Sequence, residues 1–163
     1  PLRLVGSEMC IRDRLWTPMH AEESALWSLD RKDGMEKAYC CFNSNARDFA
    51  RFGQLLLNNG QWDDRQLISP AYLAEATSPD TRLVYKDLGK PNHCYGFQYW
   101  ILDYKGMKIP YMRGILGQYV FTLPEKNAVI VRLGHKRSDT YTADQHYPDD
   151  INTWLDAAMD LLQ

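Results

Sequence analysis

Helical spacing marks the first half of the chain and strand-like runs the second. Phe49, Phe52, Leu55 and Leu56 recur on one face between about residues 46 and 59, which predicts a helix with one side against a core. Asn45 is a favoured N-cap, and Asp48 follows three residues later as in a capping box. Gly60 accepts the left-handed conformation that ends such a helix. Arg47 and Asp48 are adjacent, but Asp48 is read as a helix-start carboxylate favoured by the dipole rather than as half of a catalytic pair. A second helix opens at Ser69, with Pro70 at its first position, and runs to about Thr77. Residues 61–66 read as a polar connection, and 80–92 as a polar loop. Further upstream, Pro18 disfavours a helical Thr17, so residues 15–19 are expected to be extended or in a turn. Trp27-Ser28-Leu29-Asp30 alternates as a short strand would, and Asp33-Gly34 signals a turn.

Residues 94–103 form an aromatic-rich strand candidate, Tyr104-Lys105-Gly106 a turn, and residues 107–112 a second strand. Two more runs, 118–123 and 128–133, are rich in Val, Ile, Tyr and Phe, which suit a pleated, half-buried surface. Pro124-Glu125-Lys126-Asn127 separates them, so they read as a hairpin. Short connections between consecutive strands make an antiparallel meander the economical arrangement. Asp149 or Asp150 then caps a last helix, with Ile151, Trp154, Leu155, Met159 and Leu162 towards a core. Strands followed by a helix covering one sheet face predict an α+β architecture. Just before the third strand stands Gly114-Ile115-Leu116-Gly117. Glycines there either turn the chain into the strand or let a ligand approach closely.

At 163 residues the chain suits one domain with a sizeable core. Its 45% hydrophobic and 25% charged residues are ordinary for a globular protein. A net charge of −2 gives no field that points to nucleic acid, and no apolar run approaches a membrane span. The four cysteines, Cys10, Cys40, Cys41 and Cys94, have no Cys-x-x-Cys spacing and read as small buried thiols, not as a disulfide framework or zinc site. His20, His93, His135 and His146 are scattered, with only the loop carboxylates Asp144 and Asp149 near His146. No metal and no cofactor is therefore expected.

The opening stretch, PLRLVGSEMCIRDR, carries no helix or strand period that continues past Leu15. Gly6 to Arg14 resembles a translated sequencing-adapter fragment, so residues 1–14 are expected to be an artefactual or disordered tail. The alternative is a genuine, irregular N-terminal arm.

From Leu15 onwards the chain resembles the C-terminal half of the serine β-lactamase-like superfamily, which includes class C β-lactamases, penicillin-binding peptidases, related esterases and 6-aminohexanoate-dimer hydrolases. Leu15-Trp16-Thr17-Pro18-Met19 resembles the segment that usually reads Pro-Leu-Gly-Met. The stretch from Asn45 to Leu57 is similar to the thr-ala-x-asp-leu-ala-arg-phe helix. Leu67-Ile68-Ser69, the aromatic run Tyr95 to Trp100, Gly114-Ile115-Leu116-Gly117-Gln118, Pro124 and the final strand come after it in order. The Gly-x-x-Gly-Gln signature is closest in flavour to the 6-aminohexanoate-dimer-hydrolase branch.

The resemblance implies the β-lactamase/transpeptidase-like fold and cleavage of a small-molecule amide or ester through an acyl-enzyme. It implies that residues 15–163 are a partial domain lacking its N-terminal half. Such enzymes attack with the Ser of Ser-x-x-Lys and shuttle a proton through Tyr-x-Asn, and a neutral Ser needs such a neighbouring base. Neither motif occurs in this chain, so the chain by itself is expected to be inactive. The usual Lys-Thr-Gly or His-x-Gly is replaced by Met112-Arg113-Gly114. By resemblance, the backbone N–H of Ile115 is an oxyanion donor. Gly114, Leu116 and Gly117 shape that edge, and Tyr95 and Trp100 line the substrate cleft, although for each ring taken singly core packing is the better reading. Leu116 stands where some relatives carry a polar residue, which argues against penicillin recognition. An exported or periplasmic location is expected from the resemblance alone. Sheet edges that relatives complete with N-terminal sequence are expected to be open here, which predicts marginal stability. The rival reading is a non-catalytic binding protein on the same fold. A third is an unrelated α+β interaction domain.

Overall fold

The computed structural model describes residues 11–37, 39–86, 89–144 and 146–162. Cys10 and most of the opening stretch lie outside these residues.

Three helices and a four-stranded sheet carry the architecture. Helix α1 is Ala46–Leu57, α2 is Pro70–Ala76 and α3 is Asp150–Leu161. The strands are β1 (Trp100–Tyr104), β2 (Met107–Arg113), β3 (Tyr119–Leu123) and β4 (Ala128–Arg132). Each strand pairs antiparallel with the next in sequence, so the sheet is the expected meander. Lys105 and Gly106 join β1 to β2 with positive φ at both positions (51° and 89°), the conformation that matches strand twist in a two-residue hairpin. Asn127, also left-handed at φ 47°, returns the chain into β4.

The register sorts the side chains onto two faces. Tyr111 lies opposite Phe121 and packs with Leu102, Ile109, Tyr119 and Leu123 against Ile151 and Leu155 of α3. On the other face, Val120 and Val129 receive α1. A Cβ on Gly53 would stand 2.4 Å from a Val129 methyl, so a glycine is what allows helix and sheet to approach this closely. Ile151 and Leu155 are buried as expected, and Met159 packs beside them. Trp154 and Leu162 do not join the core: Trp154 is 44% exposed, its ring lying over Arg132, and Leu162 is 37% exposed.

Asn45 caps α1, its side chain accepting from the N–H of Asp48 at 2.8 Å. The carboxylate of Asp48 does more than complement a dipole. It is fully buried and accepts from the N–H groups of Glu22 (2.8 Å) and Glu23 (3.1 Å), from Asn45 Nδ2 (2.8 Å) and from Arg51 Nη1 (3.0 Å). Arg51 also donates to Met19 O at 3.1 Å and pairs with Glu22 at 3.1 Å. Helix α1 thus holds the segment before it through polar contacts. Burial pushes the Asp48 carboxyl up, but these donors and the Arg51 charge outweigh it and hold the pKa below the usual carboxylate value.

Several local expectations are corrected. Of the two alternatives for residues 15–19 the turn holds for 17–19, but Thr17 is helical: Arg12–Trp16 is one π-helical turn, and the Thr17 N–H donates to Arg12 O at 2.7 Å. The tertiary anchors explain it, since Trp16 and Met19 are buried and the Trp16 indole donates to Glu23 O at 2.9 Å. Residues 61–66 form a small hairpin, Gln61–Trp62 with Arg65–Gln66. Val84–Tyr85 pairs with Lys90–Pro91 inside the expected loop. Residues 94–99 precede β1 instead of belonging to it, because Gln98 is left-handed and folds the chain back so that Tyr95 bridges Trp100. The short strand near Trp27 is Leu26–Trp27, paired with Phe42–Asn43. Finally, Cys40 and Cys41 are bonded to each other rather than being buried thiols, and only Cys94 is a buried free cysteine among the described residues. Cys40 is half-buried and Cys41 exposed. Spacing rules for disulfides address bridges between distant segments and give no signal for neighbours.

Candidate functional site

The link between β2 and β3 is built from Gly114, Ile115, Leu116 and Gly117, with Ile115–Gly117 forming a single 3-10 turn. Gly114 is extended, and its N–H donates to Gln118 O at 2.8 Å, closing the loop at its base. Leu116 is left-handed at φ 58°, ψ 19°. That is uncommon for a residue with a branched side chain and persists only where the surroundings enforce it. The enforcement comes from two side chains. Gln118 lies against Gly134 with both ends of its amide: Nε2 donates to Gly134 O, and Oε1 accepts from Gly134 N–H at 3.2 Å. Arg132 donates to Gly117 O at 2.7 Å and to Lys136 O at 2.8 Å. A Cβ on Gly117 would collide with Arg132 Nη1, and Gly117 is itself at φ 81°, so this position requires glycine.

The loop therefore presents Ile115 and Leu116, 76% and 50% exposed, from a fixed backbone. The Ile115 N–H lies beyond the last paired position, Arg113 opposite Tyr119, and donates to no described residue.

Met112 and Arg113 point to opposite faces. Met112 lies opposite Val120, on the α1 side. Arg113 lies on the α3 side, its guanidinium 3.3 Å from the centre of the Trp100 ring and its Nη1 donating to His146 O at 2.9 Å. Tyr95 meets Trp100 edge-on at 4.7 Å. Tyr95 and Trp100 are thus brought together, with Trp100 against Arg113 and the Tyr95 hydroxyl donating to Gln98 Oε1 at 3.2 Å. Gly114, Ile115, Leu116 and Gly117 are brought together as a second, adjacent group. Sequence reading missed the clamps: a charged Arg132 inside an apolar strand run and Gln118 at the strand entrance were the available signals.

Burial pushes the Tyr95, Tyr111 and Cys94 protons up, opposed in each case by the Arg113 charge. Tyr119 is pushed up to about 12 by burial and by Asp150, against Arg137, Arg132 and Arg113. All four hold their protons more tightly than usual, which suits packing and not proton abstraction at neutral pH. Chemically, the region offers a backbone donor and a shaped edge.

Other candidate chemistry disperses. His20 meets Asp63 at 3.1 Å on the surface, and His93 faces Asp144 O at 2.7 Å. No group of three or more His, Cys, Asp or Glu side chains that could hold a metal occurs among the described residues. No helix among them is long and apolar enough to cross a membrane. A hollow of about 300 Å³ lined by Ala50, Gln54, Leu57, Asn58, Asn127 and Val129 lies between α1 and β4, away from the 114–117 loop.

No protein-family profile matches the chain. No curated protein matches it either. Solved structures do. A Bacillus anthracis protein assigned as a 6-aminohexanoate-dimer hydrolase superposes with a TM-score of 0.68 at 25% identity, over 93% of this chain and 37% of that one. A Bacteroides dorei protein assigned as a β-lactamase superposes with a TM-score of 0.57 at 13% identity, over 90% of this chain and 49% of that one. The chain has the β-lactamase/transpeptidase-like, serine-hydrolase-like α+β fold, with an antiparallel sheet and helices packed on it. It spans between about a third and a half of the length of these neighbours.

Proposed function

We propose that residues 15–163 are part of a serine hydrolase that cleaves a small-molecule amide or ester through an acyl-enzyme. In this reading the Ile115 N–H donates to the oxyanion, Gly114 and Gly117 permit the turn, and Leu116 faces the substrate. Trp100, which lies against the Arg113 guanidinium, and Tyr95, edge-on to Trp100, border that edge. The carrying observation is the Ile115 N–H: it is left out of the sheet and held in place by Gln118 and Arg132. A donor fixed before the reaction costs no reorganisation when charge develops on the carbonyl oxygen. The fold shared with two proteins assigned as hydrolases supports the same reading.

The chain holds neither Ser-x-x-Lys nor Tyr-x-Asn, so the nucleophile and its base belong to sequence beyond it. The test is to recover the coding sequence upstream of Leu15 and assay the longer protein on amides and esters. Both motifs are expected in frame, with activity that Ser→Ala abolishes. Ile115→Pro, which removes the donor, is expected to lower kcat by about 100-fold or more. Turnover by the 163-residue chain itself, or an Ile115→Pro enzyme with unchanged kcat, overturns the assignment. A longer protein of this fold without the serine and lysine would favour a binding protein.

A further inference from the structure

The bonded pair Cys40–Cys41 is wired into an aromatic hollow that the hydrolase reading does not use. Cys41 stands at φ 73°, a left-handed conformation rarely adopted by a residue with a Cβ. The carbonyls of the pair are hydrogen-bond acceptors for the strand opposite. The Trp27 indole donates to Cys40 O at 2.9 Å and to Lys37 O at 3.0 Å, and Ser28 N–H donates to Cys41 O at 3.0 Å. Trp27 meets Phe42 edge-on at 5.3 Å, and Phe42 meets Trp16 at 5.2 Å. Those three rings, with Ser24, Ala25, Ile11 and Arg12, line an open hollow of about 280 Å³. The backbone of the pair therefore sets the place of Trp27, and Trp27 sets one wall of the hollow.

We propose that Cys40–Cys41 is a reversible thiol–disulfide site whose state sets the shape of the Trp16–Trp27–Phe42 hollow. While the bond is intact, its small ring holds Cys41 left-handed and Trp27 against Phe42. Once the bond is broken, Cys41 relaxes to negative φ, its carbonyl turns, and Trp27 loses Cys40 O and moves outwards.

The reductant is a dithiol. One of its thiolates attacks the exposed Cys41 sulfur, forming a mixed disulfide and expelling Cys40 as a thiolate. The second thiolate of the reagent closes on the first, releases Cys41 as a thiolate, and leaves as a cyclic disulfide. Two electrons pass to the protein, and the two thiol protons end on Cys40 and Cys41. An oxidised dithiol reverses the exchange. Cys94 is buried and takes no part.

The experiment uses the 163-residue chain in oxidised and reduced dithiothreitol. In the oxidised buffer, alkylation of the native protein is expected to label neither Cys40 nor Cys41. In the reduced buffer the intact mass gains two hydrogens, and both become labelled. Tryptophan emission is expected to shift to the red, with acrylamide quenching rising about twofold as Trp27 opens, and to return on reoxidation. In Trp27→Phe the optical change is expected to vanish while the mass change stays. Free thiols at both positions in the oxidised buffer overturn the proposal. So does reduction that leaves emission and quenching as they were, or rebonding without optical recovery.

Discussion

Between the sheet and α3, the protein is held by fully buried Phe121, Leu123, Ile109, Ile151 and Leu155, with Tyr111 stacked on Phe121 and Tyr119 tilted against it. Residues 12–43 are held differently. Among the described residues there, only Trp16 and Met19 are buried; with half-buried Phe42 they form a small apolar contact with Phe49 and Phe52 of α1, and a polar network adds to it, Asp48 to Glu22 and Glu23 and Arg51 to Met19. Apolar packing is non-directional and tolerates small shifts, whereas a buried carboxylate with four donors fixes one geometry and fails as a unit. The first region is therefore expected to set global stability, and the second to open locally.

Removing the centre of the apolar region has the largest expected effect. Phe121→Ala should cost about 4 kcal/mol, read as a drop in the midpoint of chemical denaturation. A loss under about 1 kcal/mol would mean that the sheet–α3 core does not govern unfolding.

Asp48→Asn comes next, at about 3 kcal/mol, because Arg51 loses its buried partner and a Glu22 or Glu23 N–H meets an amide instead of a carboxylate. The loss should appear first as faster hydrogen exchange at residues 19–24, ahead of the sheet. The pH dependence comes from the lowered pKa of Asp48. The stabilisation is fully present above the unfolded carboxylate value of about 3.9 and is lost as pH falls through the lower folded value. Denaturation midpoints measured from neutral pH down to about 2 should fall less steeply at the acid end in Asp48→Asn than in the unaltered protein. Equal acid slopes would remove Asp48 from the account.

Gly53→Ala tests where the two regions meet. The new Cβ would stand 2.4 Å from a Val129 methyl, so overpacking should cost about 2 kcal/mol despite the gain in helix propensity. Stabilisation instead would show that α1 sits less tightly on the sheet. The smallest effect is expected from Gln118→Ala, at about 1 kcal/mol. Its signature is local: exchange at the Gly114 and Gln118 amides, which close the loop, should quicken, while the denaturation midpoint moves least of the four variants. Unchanged exchange there would mean that Arg132 alone holds the loop.

The meander, α1 with its Asn45 cap, α2 with Ser69 and Pro70, and the start of α3 were legible in the sequence, because periodicity, caps and turn residues act within a few positions of one another. So was the position of the 114–117 loop, through its two glycines. Other features arise between segments distant in sequence, and local patterns cannot encode them. Asp48 meets Glu22 only because the chain returns to α1. Arg132 reaches Gly117 only once β4 pairs with β3. Thr17 is helical despite Pro18 because Trp16 and Met19 find buried places among residues far along the chain. The sequence by itself thus determined the three helices, the order of the sheet strands and where glycine permits a special turn, but not the small hairpins at 61–66 and 84–91 or the turn at 12–16. The tertiary structure alone decided which polar groups meet, which aromatic side chains stay outside the core, and what fixes Leu116 in its left-handed conformation. Side-chain contacts across elements need the whole fold before they can form.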